Sequence, residues 1–239
     1  YQRGFKIDQE ALARVKEEFE IEKAELEEAL DTQVTELMGD MPINLNSPEQ
    51  LSWVIYSRKP KDKRKWADEF VQGMVKVDFN STVSNLSDKM YKVHAVQCGS
   101  CYGAGKVRKI KKDGSPFARL TKCSMCNGVG YLFRPTKELA GLRFSAPNVN
   151  WISAHGFTTS KSNLEMLEHI ALGRNMIDAA RFLKNVRRLS ALDTYLSSFV
   201  DGIKSFTKED GMLHVQLTQH MTSTCLLYTS PSPRDRTRS

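Results

Sequence analysis

Four cysteines carry the clearest chemistry in this 239-residue chain. Cys98-x-x-Cys101-x-Gly103-x-Gly105 is repeated as Cys123-x-x-Cys126-x-Gly128-x-Gly130, with 21 residues between the two pairs. Zinc prefers four soft ligands in a tetrahedron, and each CxxC turn offers two thiolates at a usable separation. The glycines let the backbone turn at positive φ, so that amide N–H groups can point at the sulfurs. The pattern predicts a structural Zn2+ held by Cys98, Cys101, Cys123 and Cys126, with no open position for catalysis. A redox CxxC pair and a disulfide clip are the competing chemistries. Four of the five cysteines lie between 98 and 126, which suits a metal site in a reducing, cytoplasmic compartment better than a disulfide scaffold. His94 is a spare ligand by type, but a surface histidine is the simpler reading.

Between the cysteine pairs runs KVRKIKKDGSPFARLTK, in which Lys106, Arg108, Lys109, Lys111, Lys112, Arg119 and Lys122 stand against a single acid, Asp113. Asp113-Gly114 is a good hairpin turn. A zinc-pinned basic hairpin suits a phosphate backbone, with Lys109, Lys111 and Lys112 as candidate contacts; a solubilising ribbon on a structural clip is the alternative. A second basic feature lies further on. Arg174, Arg181 and Arg188 recur every seven residues, with Lys184 beside them, so one helix would present one cationic face. Such a face can hold phosphates on both sides of a minor groove without reading sequence. Solvated charge is the plainer alternative.

The distribution of charge agrees with a polyanionic partner. The formal net charge is +7, of which residues 225–239 supply +2. Residues 1–50 carry 5 basic and 13 acidic residues, so residues 51–224 carry +13. An acidic face turned to water and a basic face turned to nucleic acid would produce that asymmetry. No apolar run approaches the roughly 18 residues of a membrane helix, and no membrane partner is expected. The polar start shows no secretory signal, and a first residue of Tyr1 leads us to expect that the true start is missing. Residues 225–239, CLLYTSPSPRDRTRS, have no period and little to bury. They are expected to be disordered, and they resemble an adapter-derived sequence rather than part of a domain.

These candidates need elements to position them. Leu12, Val15, Phe19, Leu26, Leu30, Val34 and Leu37 recur at helical spacing and predict one helix over 8–38, capped by Asp8 and stopped by Gly39. Ser47, Pro48 and Gln50 form an N-cap, a first-turn proline and a capping-box partner for a short helix holding Leu51, Val54 and Ile55. Residues 58–65 read as a basic loop, 78–92 as a loop or short helix, and 135–160 as irregular. Trp66, Phe70 and Met74 follow a helical period. A second long helix is expected from Ser162 to Phe206, broken near Gly173. Its stripe of Leu189, Leu192, Leu196, Phe199 and Ile203 would pair with the stripe of the first helix. Leu213, Val215 and Leu217 alternate as in a half-buried strand.

INLNSPEQL (43–51), preceded by RGFKID and a long amphipathic helix, and DGMLHVQLTQHMTST (210–224) together resemble family A DNA polymerases, the family of bacterial DNA polymerase I. VRRLSALDTYLSSFVDGI resembles that family's end-of-thumb helix, which passes into the palm through a Ser/Thr-Tyr pair, here Thr194 and Tyr195. The resemblance covers 1–77 and about 156–224. It implies a thumb in two parts, 1–93 and 135–206, interrupted by a zinc-binding insertion at 94–134 and followed at 207–224 by the strand that opens the palm. It places DNA contacts at Arg187, or Arg188 if the register slips by one, and at Thr222 and Thr224, where Gln219 also matches a polar strand. A lysine common in the family is Ala191 here. The cysteine insertion departs from the bacterial pattern; paired knuckles of this kind also occur in J-domain cochaperones and in some phage antitermination proteins.

The expected fold is mainly α: long antiparallel thumb helices, an inserted zinc-bound β-hairpin and the first palm strand. The implied parent activity is DNA-directed DNA polymerisation in replication, with primer–template DNA as partner and Mg2+ held by palm aspartates beyond Thr224. This stretch would then be a phage-type fragment that grips DNA in the host cytoplasm, is inactive alone and contains no catalytic residue. A non-enzymatic zinc module, either a nucleic-acid-binding regulator or a cochaperone-like protein, is the rival reading.

Overall fold

The structure, a computed structural model, describes residues 5–72, 78–111, 115–207 and 211–213. Roughly half of it is helical, with small antiparallel two-stranded sheets. After a short strand β1 (Phe5–Lys6), the first periodic stretch forms α1 (Gln9–Met38). Asp8 caps it through Oδ1, which accepts from the N–H groups of Glu10 at 3.1 Å and Ala11 at 3.0 Å. Gly39 ends it at φ +78, where a Cβ would lie 2.2 Å from the Val93 carbonyl oxygen. Ser47 caps α2 (Pro48–Tyr56) as expected, accepting from Gln50 N. The other half of the capping box is different: the Gln50 side chain accepts from Asn44 N at 2.6 Å and so ties down the approach to the helix.

The basic loop at 58–65 is more ordered than its composition indicates. It is a strand, β2 (Arg58–Pro60), then α3 (Lys63–Ala67), whose start is capped by Asp62. A π-helical turn, Asp68–Gln72, follows α3. Next come α4 (Phe79–Leu86) and β3 (Ser87–Lys89), which pairs with β2. Trp66 and Phe70 are buried, as their spacing predicts; Met74 lies outside the described residues.

The ribbon that follows was not legible. β4 (Tyr91–Gln97) leads into the cysteine module, where β5 (Lys106–Val107) pairs with β6 (Thr121–Lys122). The chain returns along β7 (Tyr131–Leu139), antiparallel to β4. So 131–139, partly read as irregular, is a strand, with a bulge between the Tyr91–Leu139 and Val93–Pro135 pairings. In a two-stranded ribbon each strand is an edge, and the missing proline N–H can face outward at no cost. A short pair, β8 (Ile152–Ser153) and β9 (Gly156–Phe157), precedes α5 (Lys161–Gly173) and α6 (Ile177–Thr194). The expected break near Gly173 is present at 174–176.

Past Thr194 the helix widens into a π-helical turn, Tyr195–Val200, before α7 (Asp201–Phe206) and a last strand β10 (Met212–Leu213) paired with β1. This corrects the apolar stripe. Leu189 and Leu192 are buried, but Phe199 is 57% exposed and Val200 is buried in its place. A π-turn takes up an extra residue, so the 3, 4, 3, 4 spacing falls out of phase with the inner face. Val215, Leu217, Gln219, Thr222, Thr224 and the 225–239 segment lie outside the described residues.

The chain divides into two units. One holds 22–192. Its core joins Leu30, Val34 and Met38 of α1, Val54 and Ile55 of α2, Leu167 and Ala171 of α5, and Phe182, Leu183 and Val186 of α6. Trp66, Tyr56 and Phe157 extend it with rings 4.8–5.1 Å apart, and the polar atoms of two of them are satisfied: Tyr56 Oη donates to the Thr158 carbonyl, and Trp66 Nε1 to that of Ser153. The other unit holds the start of α1 and the residues from Asp193 onward. There Phe19 packs on Tyr195, and Lys16 Nζ pairs with Asp201 at 3.1 Å, so the two segments run antiparallel.

Candidate metal centre and nucleic-acid interface

The cysteine module is built at the end of the β4–β7 ribbon. Asp40, next to the glycine that ends α1, holds the base of that ribbon: its N–H donates to the Val93 carbonyl at 2.9 Å, and its carboxylate accepts from Ala95 N at 2.8 Å. The two knuckles are related by an approximate twofold. Cys98 N donates to the Gly130 carbonyl at 2.9 Å, and Cys123 N to the Gly105 carbonyl at 2.9 Å. Tyr102 and Asn127 sit at φ 48 and 52. All four motif glycines have positive φ, as their spacing predicts. Two could be nothing else: a Cβ on Gly105 would lie 2.3 Å from the Gly128 carbonyl oxygen, and one on Gly130 would lie 2.3 Å from that of Gly103.

The repeated backbone brings all four thiols together, buried, with every sulfur within 4.8 Å of the others. Cys98 and Cys123 sulfurs are 3.8 Å apart, and Cys101 and Cys126 sulfurs 3.6 Å. These are free thiols, too far apart for S–S bonds. A tetrahedron with Zn–S bonds of about 2.3 Å has S–S edges of about 3.8 Å, so the donor set fits a tetrahedral thiolate-binding ion. The local environment acts in opposite directions on two of the thiols. Burial pushes the Cys101 thiol up, while the backbone N–H groups of Cys126 and then Met125 pull that of Cys123 down. The Gly130 N–H also points at the Cys126 sulfur, at 3.2 Å. His94 is no ligand here: it is exposed on β4, with Nδ1 3.7 Å from the Asp40 carboxylate.

Beyond the thiols the chain continues as the basic hairpin. Ile110 bridges Pro116, and Phe117 N donates to the Lys109 carbonyl at 2.9 Å, so the strands pair on both sides of the turn. Lys112, Asp113 and Gly114 lie outside the described residues. Lys109 and Lys111 are exposed, as are Lys106, Arg108, Arg119 and Lys122. None of these six has a carboxylate partner among the described residues. Lys111 Nζ stands over the Phe117 ring at 5.6 Å.

The predicted helical cations divide into two groups. Arg181 and Lys184 are exposed on α6, Arg181 with only a 3.6 Å contact to Asp178, and Arg174 is exposed at the end of α5. The other two are engaged. Arg188 makes a two-pronged pair with Glu22, both contacts at 2.6 Å, and holds that carboxyl below its ordinary range. Arg187 is only 23% exposed and bridges Glu165, at 3.2 Å, and Glu168, clamping α6 to α5. Thr222 and Thr224 lie outside the described residues. Sequence reasoning missed an aromatic ladder on β7, Tyr131 and Phe133, although the alternation Tyr131-Leu132-Phe133 is a period-2 signal.

No helix among the described residues is long and apolar enough to cross a membrane. No family model, curated protein or solved structure matches the chain.

Proposed function

We propose that this chain binds nucleic acid through a zinc-stabilised arm and the exposed cationic face of α6. The observation that carries this is the hairpin beyond the thiols: six exposed cations with no carboxylate partner among the described residues. Arg187 and Arg188 of α6 are by contrast engaged by carboxylates, so they are less free to meet a phosphate than the hairpin cations are. Zinc fits the four thiols by sulfur chemistry and spacing, and its role is to fix the knuckles, from which the hairpin projects.

The finer reading is the thumb segment of a family A DNA polymerase. The INLNSPEQL and VRRLSALDTYLSSFVDGI resemblances support it, with a 30-residue α1 that runs antiparallel to the later helical segment. In that reading the parent enzyme carries out template-directed nucleotidyl transfer with Mg2+ bound in its palm, and this stretch contributes the grip on primer–template duplex. Arg174, Arg181 and Lys184 are available for that contact in the DNA-free chain. Arg188 would first have to leave Glu22, and Arg187 is more fully committed to holding α5 and α6 together.

A second reading, a cochaperone-like module, draws support from Met125 and Val129, exposed apolar residues on the second knuckle. Fluorescence anisotropy with a labelled primer–template duplex separates the two. Binding is expected to weaken steeply with salt. The Arg181→Glu/Lys184→Glu double variant is expected to bind roughly tenfold or more weakly, with a salt slope flatter by about one for each phosphate it no longer neutralises. Salt-independent binding, or an unaltered double variant, overturns the helical contact. Binding of an unfolded polypeptide without any affinity for duplex favours the cochaperone reading.

A further inference from the structure

We infer that the β4–β7 ribbon is a separate single-strand site, on which successive unpaired bases stack on Tyr131 and Phe133 while the hairpin cations hold the adjoining phosphates. The inference rests on the nucleic-acid reading of the arm but not on the polymerase resemblance.

The ladder's orientation follows from the register. Leu132 packs against the buried thiol cluster, so its neighbours Tyr131 and Phe133 project from the opposite face of β7. Both are exposed, at 47% and 39%, although phenylalanine is among the residue types most often fully buried. Their cross-strand partners leave the rings open. Tyr131 stands opposite Gln97, whose amide is turned toward the knuckle to donate to the Tyr102 carbonyl at 2.9 Å, and Phe133 stands opposite Ala95, a side chain too small to cover it.

Two same-face residues on one strand are separated by about 7 Å, enough for two bases in succession. RNA-recognition sheets use the same device, stacking two or three bases on strand aromatics. Base stacking is indifferent to sequence, because every base has a π face.

Charge selects nucleic acid over an apolar polypeptide as the occupant. Between 94 and 134 there are eight Lys and Arg residues against one acid. Four thiolates and a Zn2+ remove two of those positive charges, and the arm stays strongly cationic. A duplex would not use the ladder, since its bases are already stacked on one another. A single strand uses both the rings and the cations.

The test uses the full chain, zinc-loaded, with labelled oligo-dT, oligo-rU and a blunt duplex of matched length. Wild-type protein is expected to bind the single strands, and Tyr131→Ala/Phe133→Ala to bind them about tenfold or more weakly while its duplex affinity changes by less than about twofold. Tyr131→Phe/Phe133→Tyr should restore single-strand binding. Zinc content and the far-ultraviolet circular dichroism of each variant are measured alongside, so that an unfolded arm is recognised by loss of metal. The dT and rU arms tell a DNA site from an RNA site. If the folded double variant binds single strands as the wild type does, or if affinity for single strands and duplex falls equally, the ladder is not a stacking site although the cationic arm stands. If wild type binds neither, the nucleic-acid reading itself fails. Ladder-dependent capture of a permanently unfolded apolar polypeptide, with no oligonucleotide binding, assigns the surface to protein and overturns the inference.

Discussion

At the residue scale the glycines of the cysteine repeat are as informative as the cysteines. Each knuckle needs the left-handed region, and Gly105 and Gly130 also abut a carbonyl oxygen of the opposite knuckle. We expect Gly105→Ala to destabilise the metal-loaded arm by about 1–3 kcal/mol, the range for a residue held in a disfavoured backbone region, and to weaken zinc binding. Gly99→Ala is the control, because a Cβ there meets nothing within 4 Å. Competition with a chromogenic chelator reads both; equal zinc affinities in the two variants would show that the close approach is unimportant. This much was legible, since CxxCxGxG states its ligands and its turns in a single short motif. Arg187 was not. Sequence marks it as a cation on a basic stretch, and only the packing of α5 on α6 shows it serving Glu165 and Glu168.

At the element scale, the long helix α1 and the cap of α2 followed from periodicity and from Ser47 and Pro48. The ribbon and the π-turn did not, for different reasons. β4 and β7 are stabilised by pairing between segments far apart in the chain, which local pattern cannot register, and Pro135 masked the strand. The π-turn at Tyr195–Val200 is one residue's shift in a stripe that otherwise looks regular. Between elements, the Glu22–Arg188 pair joins α1 to α6 within one unit. Glu22 has its folded pKa lowered by Arg188, so the pair's contribution is present above the ordinary value of 4.5 and is lost as pH falls through the folded value. Both side chains are more than a third exposed, so that contribution is below about 1 kcal/mol. Glu22→Gln should therefore hardly move the melting temperature at pH 7 and should flatten its decline below the ordinary carboxylate value of 4.5. The same variant releases Arg188 from this carboxylate, and a few-fold tighter duplex binding is expected if α6 is a contact surface. Unchanged or weaker binding would remove Arg188 from the interface.

For the whole molecule, the arm joins two kinds of information in one segment. The thiols specify where the backbone is fixed, and the hairpin between them specifies what is presented from that fixed point. An acidic first fifty residues and a strongly basic remainder give the chain its polarity, and the structure shows the basic side is partly spent internally and partly displayed. The direct test is the affinity of the full chain for primer–template duplex as a function of salt, measured zinc-loaded, after chelation, and after zinc is restored. The account predicts a steep salt slope for the loaded protein, a shallower slope with affinity about tenfold or more weaker when the metal is removed, and recovery on adding it back. Identical slopes and affinities in all three states would contradict it, because the arm's cations would then reach nucleic acid, or fail to, without the metal that organises them.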